Sequence, residues 1–196
     1  MDTLDFEPAT AAVAKVVAGV RDDQLSDPTP CTDTSVADML HHIGGFPVAF
    51  IAAARKEPLE DAAPVADGSE LEDGFRDRIA RDLGVLAEAW RDPAAYQGLT
   101  QAGPVELPGD IAALVALDEV VVHGWDLARA TGQPYDPDEA AVLACLGFAQ
   151  TFEPPKDGGP DGGLFGPPVA VPDDAPALDR LAGATGRDPH WTPPAA

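Results

Sequence analysis

The chain has 196 residues, 45% of them hydrophobic, enough for one well-packed domain, and no composition break demands two. Its 34 acidic against 12 basic residues give a formal charge of -22 and a pI near 4.1. That charge repels polyphosphate and anionic lipid, which excludes nucleic acid and membrane surfaces as partners.

The start, Met1-Asp2-Thr3-Leu4-Asp5, lacks the basic opening of a signal peptide, so a cytoplasmic protein is expected. Residues from about Phe6 to Leu25 carry Val13, Val16, Val17 and Val20 at helical spacing. This first predicted helix ends before Asp27-Pro28-Thr29-Pro30, where prolines exclude helix. Cys31 follows, and it and Cys145 stand in contexts too dissimilar for a disulfide framework; Cys31 reads as structural rather than as a reactive thiol.

Ser35-Val36-Ala37-Asp38 resembles a capping box, and Met39, Leu40, Ile43, Phe46 and Phe50 carry a second helix to about Arg55. At roughly 100° per residue, His42 shares a face with Met39, Phe46 and Ala49, while His41 falls nearer Ala37, Gly45, Val48 and Ala52. His42 therefore points inward. Pro47 predicts a kink just beyond it. No apolar run reaches the roughly 20 residues that span a bilayer.

A Pro/Ala/Asp-rich connection from Glu57 to Gly68 leads to a third helical pattern, Ser69 to Trp90, with Leu71, Phe75, Ile79, Leu83, Leu86 and Trp90 as its stripe. Gln97 to Gly109 reads as a loop with a brief extended piece around Val105 and Leu107. Asp110 is a plausible N-cap for a fourth helix closing at Gly132 before Pro134, and Asp138 to about Phe152 forms a fifth. From about residue 153 a Pro/Gly-rich tail, helical only over Ala177 to Ala184, offers Leu164, Phe165, Val169, Val171 and Trp191 for docking. The expected fold class is all-α: one domain over residues 1–196, an antiparallel bundle of four main helices with a long irregular tail.

Glu119 and His123 lie one turn apart on the fourth helix, on a face continued by Ala112, Val115 and Ala116. Burying an ionised carboxylate costs several kcal/mol unless a positive group meets it, and a divalent cation shared with two imidazoles does so. With His42 from a facing helix, Glu119 and His123 supply three ligands and leave a fourth position open, the arrangement of catalytic zinc; nickel, manganese and iron suit the same donors. His41 is the rival ligand on the second helix, and His190 could approach if the tail folds back. Asp38 could hold His42 or cap its helix, and Asp126 could hold His123 or pair with Arg129 on the surface. Solvated side chains on separate helices are the bland alternative, because Glu-x-x-x-His alone is a weak motif.

Several blocks together resemble a family. They are Pro28-Thr29-Pro30-Cys31, the run Val36-Ala37-Asp38-Met39-Leu40-His41-His42-Ile43, the block His123-Gly124-Trp125-Asp126-Leu127-Ala128-Arg129-Ala130-Thr131-Gly132, Phe165-Gly166-Pro167-Pro168-Val169 and Gly186-Arg187-Asp188-Pro189. Across nearly the whole chain they are similar to actinobacterial metal-binding proteins related to mycothiol-dependent maleylpyruvate isomerase, within the DinB-like four-helix-bundle superfamily. The resemblance implies a DinB-like bundle whose metal is held at His42, Glu119 and His123. It departs at Thr34, where the family usually has tryptophan, and at Pro47. The implied activity is a thiol-dependent transferase or isomerase, with mycothiol as co-substrate and a small electrophile as substrate. The alternative is a non-catalytic metal-binding or stress-related module.

Overall fold

A computed structural model describes residues 3–57, 59, 66–103, 105–152 and 164–194. The first predicted helix is divided in two. α1 spans Glu7–Gly19 and a 3-10 turn covers Asp22–Gln24, with Val20 extended between them. The cause lies far along the chain. Gln133 donates from Nε2 to the Val16 carbonyl at 2.9 Å, and its amide fills the space a Cβ on Gly19 would need.

α2 spans Val36–Arg55 behind the expected cap. Ser35 Oγ accepts the Asp38 N–H at 3.1 Å, and the Asp38 carboxylate accepts the Ser35 N–H at 3.0 Å. By length and composition α2 is apolar enough to cross a membrane, more so than the sequence reading allowed. Its apolar face is spent inside the bundle instead, with Met39, Leu40, Ile43 and Phe46 all buried. Pro47 sits buried within it and leaves the Ile43 carbonyl without its usual donor.

The third helix starts later than its stripe predicts. Residues 58 and 60–65 of the connection lie outside the described residues; a 3-10 turn then covers Gly68–Glu70, Gly74 turns the chain at φ 77°, and α3 runs Phe75–Ala89. Gly68 explains the early turn. Its N–H donates to Asp38 Oδ1 at 2.7 Å, and a Cβ there would lie 2.5 Å from that of Ala37, so this turn is pressed onto the start of α2.

The loop's extended piece is a hairpin. β1 (Leu99–Ala102) and β2 (Val105–Pro108) pair antiparallel, with Leu99 opposite Pro108 and Ala102 opposite Val105. α4 spans Gly109–Thr131, so Asp110 lies in its first turn rather than capping it. Tertiary packing again sets the boundary: the Gly109 N–H donates to the Gly98 carbonyl at 2.9 Å, and a Cβ on Gly109 would lie 2.3 Å from the Ala95 carbonyl oxygen. The helix closes at Gly132, φ 67°, as its sequence predicts.

α1 packs on α3 and α4, and α2 packs on the same two, which places the helices around the bundle in the order α1, α3, α2, α4. Trp90 closes one end of the core, stacked on Phe6 at 5.8 Å between ring centroids and edge-on to Tyr96. α5 (Glu139–Ala149), capped by Asp138, packs on α4, and α6 (Ala177–Ala184) packs on α5. The fold is thus all-α and DinB-like, with a C-terminal tail. Within that tail Phe165 meets Phe148 and Phe152, and Trp191 is half-buried against the core, whereas Leu164 and Val169 stay exposed. Residues 153–163 of the predicted tail lie outside the described residues.

Candidate metal centre

Because α2 and α4 are neighbours, their inward stripes meet, and His42, Glu119 and His123 come together there. One oxygen, Glu119 Oε2, lies 2.9 Å from His42 Nε2 and 3.1 Å from His123 Nε2. The two imidazoles are edge-on with centroids 4.7 Å apart, and Phe46 flanks His42 at 5.7 Å. Exposure falls across the set: 35% for the His42 side chain, 21% for Glu119 and 14% for His123. The group is therefore open to solvent on the His42 side.

The donor set fits a small divalent cation. Ligand bonds of about 2.0–2.1 Å in a tetrahedral site put donor atoms about 3.3 Å apart. The three donor atoms lie within 4.8 Å of one another, and the two contacts at Oε2 need to open by only a few tenths of an ångström. Both imidazoles offer Nε2, which leaves Nδ1 of His123 for an outer partner.

Asp126 is that partner. Its Oδ2 lies 3.0 Å from His123 Nδ1, and its side chain is fully buried. The surface pairing with Arg129 does not form: Arg129 sits over the Trp125 ring and donates to the Pro189 carbonyl at 2.6 Å. Asp126 is paired instead with Arg187, a partner the sequence reading missed. Asp38 caps α2 and receives Gly68, so of its two candidate roles the structure shows the cap. His41 stands off the site, its Nδ1 accepting the Asp67 N–H at 3.1 Å, and His190 is exposed. Cys31 and Cys145 are both free thiols.

Asp118 was also missed in the sequence. It is 5% exposed, and among the described residues its Oδ1 is buried without a hydrogen-bond partner. Burial, followed by the charge of neighbouring Glu119, pushes its carboxyl up to about 7. No periodicity separates such a residue from the apolar stripe it interrupts, although a lone Asp before Glu119 on a buried helix was a usable signal.

Without a cation the centre is an ion network. Burial works against charge on Glu119 and Asp126, but the two imidazoles hold Glu119 below the usual carboxylate range, and His123 and Arg187 do the same for Asp126. Burial lowers the His123 imidazolium, yet its hydrogen bonds to Asp126 and Glu119 outweigh that and raise it to about 10 from an ordinary 6.5. A folded value above the unfolded one gives stability that is complete below pH 6.5 and lost as pH rises through about 10. Asp118, raised from 3.8 to about 7, adds a separate loss across that lower window, since ionising it opposes folding. Metal-free protein is expected to show a urea midpoint that falls between pH 7 and 10, and His123→Gln to flatten that fall. A midpoint constant over this range in the parent protein would remove the network.

Residues 6–128, which include all three gathered side chains, match the family model described as the mycothiol maleylpyruvate isomerase N-terminal domain. Two uncharacterized proteins from separate strains of Mycobacterium tuberculosis are each 32% identical to the chain over 181 residues, covering 91% of this chain and 93% of their own. No solved structure matches it.

Proposed function

Since the chain belongs to the mycothiol maleylpyruvate isomerase N-terminal domain family, we propose that it is a thiol-dependent transferase or isomerase acting on a small electrophile, with a divalent cation at His42, Glu119 and His123. The observation that carries this reading is the convergence of two Nε2 atoms on one carboxylate oxygen at a solvent-open junction of α2 and α4. Zinc is the first choice on donor type. When bound, the cation would supply a positive centre that lowers the pKa of a thiol enough to make it a nucleophile at neutral pH.

The protein's own residues do the holding. Asp126 fixes His123 through Nδ1 so that Nε2 faces inward, and Glu119 offsets part of the cation's charge. A thiolate adding to a conjugated double bond leaves a single bond free to rotate; expelling the thiolate then returns the isomer with no net change of atoms. Where the thiol stays attached, the outcome is conjugation. Mycothiol, a low-molecular-weight thiol, is the co-substrate this reading favours. The whole chain, tail included, acts as one domain, and the two free cysteines suit the reducing cytoplasm where such thiols work.

Protein loaded with Zn2+ or Co2+ is expected to turn over a chromophoric electrophile only when a small thiol is added. His123→Ala should abolish that turnover while its circular dichroism stays that of the parent. Stoichiometric metal without any thiol-dependent reaction would favour the non-catalytic binding module instead.

A further inference from the structure

α6 ends in a Schellman motif. The Gly186 N–H donates to the Gly183 carbonyl at 3.1 Å, the Arg187 N–H donates to the Ala182 carbonyl at 2.8 Å, and Gly186 takes φ 86°. A Cβ on Gly186 would come within 2.9 Å of Gly166, so the segments around these two glycines interlock backbone against backbone. That turn sends the Arg187 side chain back to α4. Nε lies 3.3 Å from Asp126 Oδ1, Nη2 lies 3.0 Å from Oδ2, and Nη1 donates to the Thr185 carbonyl at 2.8 Å. The Arg187 side chain is 12% exposed and that of Asp126 fully buried.

We infer that Arg187 is a positioning residue of the metal centre, aligning Asp126 so that Asp126 in turn holds Nδ1 of His123. The chain of contacts is continuous: guanidinium to both carboxylate oxygens, Oδ2 to Nδ1, and Nε2 to the point shared with Glu119 and His42. An imidazole swivels about two torsions, and only a fixed partner at one nitrogen fixes the direction of the other. Asp126 alone could rotate; bridged at both oxygens, it cannot. Arg187 lies beyond residues 6–128, so the C-terminal segment takes part in a centre whose three donors all lie inside that span. The inference rests on the proposed metal site.

The test is titration of the full-length protein with Co2+, read by its visible absorption, and with Zn2+ by competition. Parent protein is expected to bind one ion per chain. Arg187→Met is expected to bind roughly 10–100-fold more weakly with a changed Co2+ spectrum, as loss of an outer partner does at other imidazole sites. Arg187→Lys keeps the charge but cannot bridge both oxygens, so it should weaken binding by less and carries the test if Arg187→Met does not fold. The double variant Arg187→Met/Asp126→Asn should bind no more weakly than Asp126→Asn alone, because Arg187 acts through Asp126. Unchanged affinity in both Arg187 variants, or losses that multiply in the double, would overturn the inference while leaving the site intact. Parent protein that takes up no ion would sink the metal reading and this inference with it.

Discussion

His123→Ala is expected to abolish stoichiometric metal binding, the largest single effect on the centre. This residue is both a proposed donor and the only one of the three braced by an outer carboxylate among the described residues. Its loss should exceed the roughly 10–100-fold seen when only an outer partner is removed. His42→Ala should also lose the ion, because among the described residues it is the one proposed donor that α2 contributes. His41→Ala and His190→Ala are the controls. Each imidazole stands apart from the gathered group, so both variants should retain one ion per chain. Elemental analysis of the purified proteins decides the matter. Equal metal content in His123→Ala and parent protein would remove that residue from the site.

Asp126→Ala should cost about 3–5 kcal/mol of folding stability, because it leaves a buried guanidinium without its counter-charge. The Arg187 side chain is 12% exposed, and among the described residues its other acceptor is the Thr185 carbonyl, which cannot neutralise it. The same change strips His123 Nδ1 of its partner. A surface ion pair would give a far smaller loss, at most about 1 kcal/mol. Urea unfolding monitored by circular dichroism separates the two cases. A loss under 1 kcal/mol would mean that water reaches this pair.

The three gathered side chains were legible because helical geometry put them on inward faces and the family resemblance favoured His42 over its rival His41. Glu119 and His123 share a face at i and i+4, and the wheel that set His42 beside Met39 and Phe46 matches their burial and the Phe46 contact. The bundle was legible for the same reason, since its apolar stripes are local patterns. What escaped was whatever a distant segment supplied. α1 stops early because Gln133 caps it, and α4 begins at Gly109 because that backbone fits beneath Ala95. Arg187 and Asp126 are 61 residues apart in sequence, and no periodicity joins them. The Gly186-Arg187-Asp188-Pro189 block marked the position without giving its role.

The support given to the two imidazoles is unequal. His123 has Asp126 behind it and shares a rigid helical turn with Glu119, whereas His42 has no recorded hydrogen bond besides Glu119 among the described residues and is the most exposed of the three. With a cation held there, such a shell would be hemilabile: two donors would stay anchored while the third swung aside at small cost. On the proposed metal site, a chelator or incoming sulfur ligand would displace His42 first, and metal exchange would be governed by the rotation of one side chain rather than by opening of the bundle.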